Sequence, residues 1–142
     1  MTCRISHTSV DAADACAQSR WWGTVLGMGE DPEDPNQPGD EECMIFSPDG
    51  RTRLLFLEVP EAKAVKNRLH LDLRPISGTR DAEVERLLGL GATQVADLRR
   101  PDGSGWVTLA DPEGNEFCVL RGDTEVADPY AHLVSGGRRS PA

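Results

Sequence analysis

The stretch HLDLRPISGTRDAEVERLLGLGATQVADLRRPDGSGWVTLADPEGNEFCVL (70–120) reads as a single strand–helix–strand–strand–strand unit. Leu69 to Leu73 alternates apolar and polar residues with period two, which predicts a strand. Thr79 is placed to cap a helix running through Leu88. Asp81 and Glu83 fall in its first turn, where the helix dipole favours negative charge, and Val84, Leu87 and Leu88 share one face. Val95 to Leu98 is a short strand. Trp106 to Ala110 and Glu116 to Arg121 flank Asp111-Pro112-Glu113-Gly114, a turn that folds them into a hairpin, with Asp111 and Asn115 as turn formers.

Working outward, the N-terminal half repeats this pattern. HTSV (7–10) precedes a helix that closes on LGMG (26–29), as HLDL (70–73) precedes one that closes on LGLG (88–91). IFSPDG (45–50) then corresponds to TLADPEG (108–114), and each is followed by a strand. Cys3 to Val10 is the expected first strand. Asp11 to Leu26 carries Ala, Trp and Leu at helical spacing and stops at Gly27, and at least one of Trp21 and Trp22 belongs to the core. Cys43 to Ser47 and Arg53 to Val59 form the first hairpin. Two such units in tandem imply duplication, with module one over about 1–60 and module two over about 66–121. Together they make one domain, 1–121.

Composition narrows the function classes. The chain has 142 residues and a formal net charge of −9, with 38% hydrophobic and 27% charged residues. This is a globular composition, long enough for a real core. The acidic balance argues against nucleic acid and against an anionic membrane surface as partners, because phosphate binding needs clustered Lys and Arg. No 18-residue apolar run and no apolar leader is present, so a cytoplasmic location is the expectation. The four cysteines, at 3, 16, 43 and 118, form no C-x-x-C pair and read as reduced thiols. The segment EDPEDPNQPGDEE (30–42) holds seven acids and three prolines and should be a solvated loop; it lacks the ligand spacing of a calcium loop. From 122 to 142 the chain reads as a flexible tail.

The stretches KNRLHLDL (66–73), RDAEVERLLGLGAT (80–93) and GWVTLADPEGNEFCVL (105–120), with SRWWGTVLG (19–27) near the start, resemble glyoxalase/bleomycin-resistance domains of the vicinal oxygen chelate superfamily. The resemblance covers Met1 to Arg121. It implies an α+β fold in which tandem βαβββ modules form an open, cup-shaped mixed sheet with helices on the convex side, and it implies a homodimer. For activity it implies a small-molecule ligand and two alternatives. One is a divalent-metal-dependent lyase, isomerase or dioxygenase acting on vicinal oxygens. The other is a metal-free pocket that sequesters drug-like compounds.

Strand alternation suggests which side chains face that cup. His70 and Asp72 oppose Leu69, Leu71 and Leu73. Trp106 and Thr108 oppose Val107 and Leu109, and Glu116 and Cys118 oppose Phe117 and Val119. Thr8 and Val10 form a packing set, leaving His7 and Ser9 to the cup. In the second hairpin strand of module one, Leu55, Leu57 and Val59 look like the packing set, leaving Phe56 and Glu58 to the cup. Carried over position by position, the family's metal ligands fall on His7, on Glu58 (with Leu57 one residue away) and on His70. The fourth falls on Cys118, where metal-dependent members carry a carboxylate. Glu116, on the same face about 6.5–7 Å along the strand, is the alternative, and Glu116 and Cys118 are the candidate catalytic groups. Phe56, Asp72, Trp106 and Thr108 would line the pocket. Zinc, iron, manganese or nickel suits such ligands.

Overall fold

The computed structural model describes residues 2–135. The chain divides into two compact units: 1–66 together with 112–115, and 67–111 together with 116 onward. No helix among the described residues is long and apolar enough to cross a membrane.

The first unit begins with β1 (Thr8–Ala12) and α1 (Ala15–Leu26). Both the strand and the helix begin later than the sequence suggests. β1 extends only where β3 (Arg53–Glu58) can pair with it, from Thr8 opposite Leu54 to Ala12 opposite Glu58. Asp14 then caps the helix, its carboxylate accepting from the Ala17 N–H at 2.9 Å. Within this unit the Glu113 carboxylate also accepts from the Ala13 and Asp14 N–H groups, at 2.5 and 3.2 Å. The helix ends at Gly27 in the left-handed region, φ 64°. Gly23 is required by close approach: a Cβ there would stand 2.9 Å from the Met28 carbonyl oxygen, a backbone atom that cannot swing aside.

β2 (Glu42–Phe46) pairs antiparallel with β3, giving a sheet of order β1-β3-β2. One face of this sheet is core. Ala15, Cys16, Ser19, Trp22 and Val25 of α1, at helical spacing, are buried, as are Cys43, Ile45, Leu54 and Phe56.

The second unit holds β4 (Asp72–Leu73), α2 (Arg80–Gly89), β5 (Thr93–Asp97), β6 (Val107–Ala110) and β7 (Glu116–Val119). Sheet order is β4-β7-β6-β5, with β4 parallel to β7 and the other pairs antiparallel. Thr79 caps α2 as expected, accepting from the Ala82 N–H at 3.1 Å. Val84 and Leu87 are buried, as are Val107, Leu109, Phe117 and Val119. The β5–β6 connection is pinned by the buried Arg80, whose guanidinium donates to the carbonyls of Gly103, Ser104 and Gly105.

β4 is two residues long, not the five-residue strand expected from Leu69: the parallel ladder with β7 stops at Asp72 opposite Cys118, and Leu69 is 89% exposed. Beyond Arg121 the chain stays on the second unit. Asp123 N–H donates to Pro75, the Thr124 hydroxyl to Gly78, and Glu125 accepts from the Arg80 and Gly122 N–H groups. A short helix, α3 (Ala131–Ser135), follows. Positions 136–142 of the expected tail lie outside the described residues.

Taken separately, the two sheets share one connectivity. Strand, helix, then an antiparallel hairpin whose last strand pairs parallel with the first describes both, so the mixed α+β duplication expected from the sequence is present.

Candidate functional site

The open face of the second sheet is set by register. Asp72, Cys118 and Thr108 lie side by side on β4, β7 and β6, because Asp72 pairs with Cys118 and Thr108 pairs with Cys118. Paired residues point to the same side of a sheet. Their neighbours in sequence, Leu73, Val107, Phe117 and Val119, therefore fall on the helix side, and all but Leu73 are buried. Val107, Leu109, Phe117 and Val119 are the packing residues that alternation picks out on β6 and β7.

His70, two residues before Asp72, completes a group. Ligand-type atoms of His70, Asp72 and Cys118 all lie within 4.8 Å of one another. The His70 Nδ1 stands 3.7 Å from an Asp72 carboxylate oxygen, and both side chains are well exposed. Cys118 is buried and held from two sides. Its N–H donates to the Leu71 carbonyl at 2.9 Å, and its Sγ lies 3.5 Å from the Thr108 hydroxyl. One buried, fixed sulfur and two exposed partners make up the cluster. Trp106, 36% exposed, precedes Thr108 by two residues, and Glu116 precedes Cys118 by two, opposite Ala110. The Glu116 N–H is fixed by the Asn67 side-chain oxygen at 3.2 Å.

In the first sheet, the parallel register ties Thr8, Val10 and Ala12 to Leu54, Phe56 and Glu58, and ties Ser9 and Asp11 to Leu55 and Leu57. His7, one residue ahead of the strand, is half-buried, with its Nδ1 3.1 Å from the Ser6 hydroxyl. The facing expected for β3 is reversed. Phe56 is fully buried against α1, so it is core and not an exposed wall. Glu58 shares the parity of Phe56, and Leu57, not Glu58, has the parity of Ser9. The physical cause is the helix. α1 covers the face carrying Leu54, Phe56, Cys43 and Ile45, and the leucines at 55 and 57 take the half-open side. Thr8 and Val10 as a packing set already required this, because a parallel partner must face the same way.

Asp72 was expected only as pocket lining, yet it stands with His70 and Cys118. Its signal in the sequence was the His-x-Asp spacing, which would put both side chains on one face of the strand expected over Leu69 to Leu73; His70 lies just ahead of the shorter β4. Its proximity to Cys118, nearly fifty positions on, came from strand pairing. Cys16, Cys43 and Cys118 are buried and Cys3 is exposed, all as thiols outside any disulfide. Burial pushes the Cys43 thiol up to about 11, with smaller contributions from Cys16 and Asp40.

Two copies of one α+β module, with polar and ligand-type side chains on an open sheet face, define a protein of the vicinal oxygen chelate superfamily. Residues 7–120 match the model of the Glyoxalase-like domain, and the chain belongs to that family. Comparison with curated proteins gives no match. Among solved structures, the chain is similar to the oxidase ChaP-H2 at 27% identity, covering 84% of this chain and 94% of that one, with a TM-score of 0.56. It is similar in fold to the fosfomycin resistance protein FosX from Mesorhizobium loti at 17% identity, covering 94% and 99%, with a TM-score of 0.61. A single-site mutant of FosX from Listeria monocytogenes, complexed with Mn(II) and 1S,2S-dihydroxypropylphosphonic acid, is 16% identical over 86% and 92% of the chains, with a TM-score of 0.61.

Proposed function

We propose that this chain is a divalent-metal-dependent enzyme that isomerises or cleaves a small molecule carrying two adjacent oxygens. The observation that carries this reading is the convergence of His70, Asp72 and Cys118 within 4.8 Å on one sheet face. An imidazole nitrogen, a carboxylate and a thiol are the side chains that bind first-row divalent ions, and three protein ligands leave positions open for substrate. A divalent ion there would supply Lewis-acid polarisation of the substrate's oxygen pair.

The chain's own groups would do the rest. Glu116, on the same face of β7, would remove the C–H proton from the hydroxyl-bearing carbon and return it to the adjacent carbonyl carbon, while the hydroxyl proton passes to the carbonyl oxygen, so that the isomerisation balances without any external reagent. Trp106 would offer a flat apolar wall, and Thr108 would hold the Cys118 sulfur through their 3.5 Å contact. The family resemblance supports a homodimer, for which light scattering should give twice the chain mass.

Oxygen-dependent oxidation is a second reading, favoured by the 27% identity to a protein named an oxidase. The metal-free pocket is the remaining alternative. Protein purified without chelators, analysed for bound metal and assayed on α-hydroxy carbonyl compounds and catechols with and without oxygen, separates the three. Stoichiometric metal with anaerobic turnover, both lost in His70→Ala, is the expected result. Turnover that consumes oxygen would replace it with the oxidase reading. Metal-free protein that still binds hydrophobic compounds would overturn both.

A further inference from the structure

Resting on the metal-dependent reading above, we infer that the site is a mixed nitrogen–oxygen–sulfur centre in which Asp72 supplies the carboxylate and Cys118 a thiolate, so that it takes a thiophilic ion of the zinc class in preference to manganese.

The argument starts from register. Cys118 occupies the β7 position where a carboxylate was expected, and a thiol cannot replace a carboxylate for a hard ion, which prefers oxygen. The missing oxygen donor is not lost but shifted across the ladder. Asp72 sits directly opposite Cys118 on the parallel neighbour β4, on the same face, with His70 two residues upstream. Glu116 is the acid on that face of β7, but it is not in the cluster. For a tetrahedral ion with nitrogen and oxygen ligands at about 2.0–2.1 Å, the donor atoms stand roughly 3.3–3.4 Å apart. The 3.7 Å between His70 Nδ1 and Asp72 needs only a small adjustment, and both side chains are exposed, with room to turn.

Cys118, by contrast, is fixed by burial and by its backbone bond to Leu71, so it acts as the anchor. The Thr108 hydroxyl at 3.5 Å can donate to the sulfur once its proton has left, the kind of outer contact that orients a ligand. Thiolate ligation distinguishes this centre from an all-nitrogen-and-oxygen one in two measurable ways. It raises affinity selectively for thiophilic ions, and it gives Co(II) a sulfur-to-metal charge-transfer absorption.

The test uses the full chain, stripped of metal and titrated separately with Zn(II), Co(II) and Mn(II). The expected result is a near-ultraviolet sulfur-to-cobalt band in the native chain that disappears in Cys118→Ser. The same substitution should weaken Zn(II) binding by about tenfold or more while changing Mn(II) binding little, because a hydroxyl loses the soft donor only. Asp72→Asn, on an exposed side chain, should weaken both ions by about tenfold and keep the cobalt band. Circular dichroism confirms that each variant is folded. Co(II) that binds without the band, or equal loss of Zn(II) and Mn(II) in Cys118→Ser, would overturn the thiolate centre while leaving metal dependence standing. An Asp72→Asn variant with native affinity would remove the carboxylate assignment. Failure of all three ions to bind would sink this inference and the metal-dependent reading together.

Discussion

The two modules share a connectivity but have spent their sequence differently. Module two keeps all four strands in order β4-β7-β6-β5, with β5 lying outside β6. Module one has β1-β3-β2, and where β5 would lie only a bridge between Gly29 and Phe46 remains, made by reciprocal backbone bonds of 3.0 and 2.7 Å. The proline- and acid-rich segment 30–41 follows that bridge, ahead of β2. Proline has no N–H to donate, and closely spaced carboxylates repel, so this segment cannot extend the ladder. The duplicated fold survives the loss because the parallel pair and the hairpin, not the outer strand, carry the core. The modules also differ chemically. The His-x-Asp pair and the cysteine that meets it are all in module two, whereas the position of module one equivalent to Asp72 is Ser9.

This contrast can be broken in several places. The largest effect should come from Phe56→Ala, which removes a fully buried ring under α1 and should cost about 3–5 kcal/mol in chemical denaturation. Leu57→Ala, on the half-open face, should cost clearly less. Equal losses would mean that the facing of β3 is not what its register requires. Next are the outer edges of the two sheets. Gly105 has φ 86° and a Cβ there would fall 2.0 Å from the Leu98 carbonyl oxygen, while Gly29 has open space. Gly105→Ala should destabilise by about 1–3 kcal/mol and Gly29→Ala by under about 1 kcal/mol. A neutral Gly105→Ala would show that the β5–β6 turn is not tightly built.

Metal binding gives the third comparison. His70→Ala should weaken Zn(II) binding by about tenfold or more, and His7→Ala should weaken it less, because the second-module cluster is complete without His7. A larger effect at His7 would reverse that order.

The smallest effect is electrostatic and local to module two. Hydrogen bonds from the Arg99 guanidinium hold Asp97 down to about 2, below its ordinary 3.8. A depressed carboxylate stabilises the fold above its unfolded value and loses that contribution as pH falls through the folded one. Stability from this pair is therefore present at neutral pH and should fade between about pH 4 and 2. The group is on the surface and screened by solvent, so the acid limb in Asp97→Asn should flatten only slightly. Titration of the Asp97 carboxyl carbon by NMR with a midpoint near its ordinary value would contradict the pairing.

Much of this was legible in residues alone. Thr79 as a cap, the turn at Asp111 to Gly114, and the alternation in β6 and β7 each follow from short-range rules, and each is present. The facing of β3 was not legible, since Leu54 to Leu57 is apolar on both faces and alternation has nothing to alternate against. Only the parallel partner β1, with its polar Ser9 and Asp11, resolves it. The short β4 was equally hidden, because the length of a parallel strand is decided by where its neighbour ends.

The chain by itself determined the duplication, the presence of the helices with the Thr79 cap and the Gly27 stop, and the family, because these depend on local periodicity and on motifs that recur at fixed spacing. Tertiary structure alone decided that Asp72 stands opposite Cys118, that Phe56 is core, and that β4 is two residues long. Each of those depends on a hydrogen-bond register between segments distant in sequence. A slip of one residue in such a register turns every side chain to the other face without changing the composition of either strand.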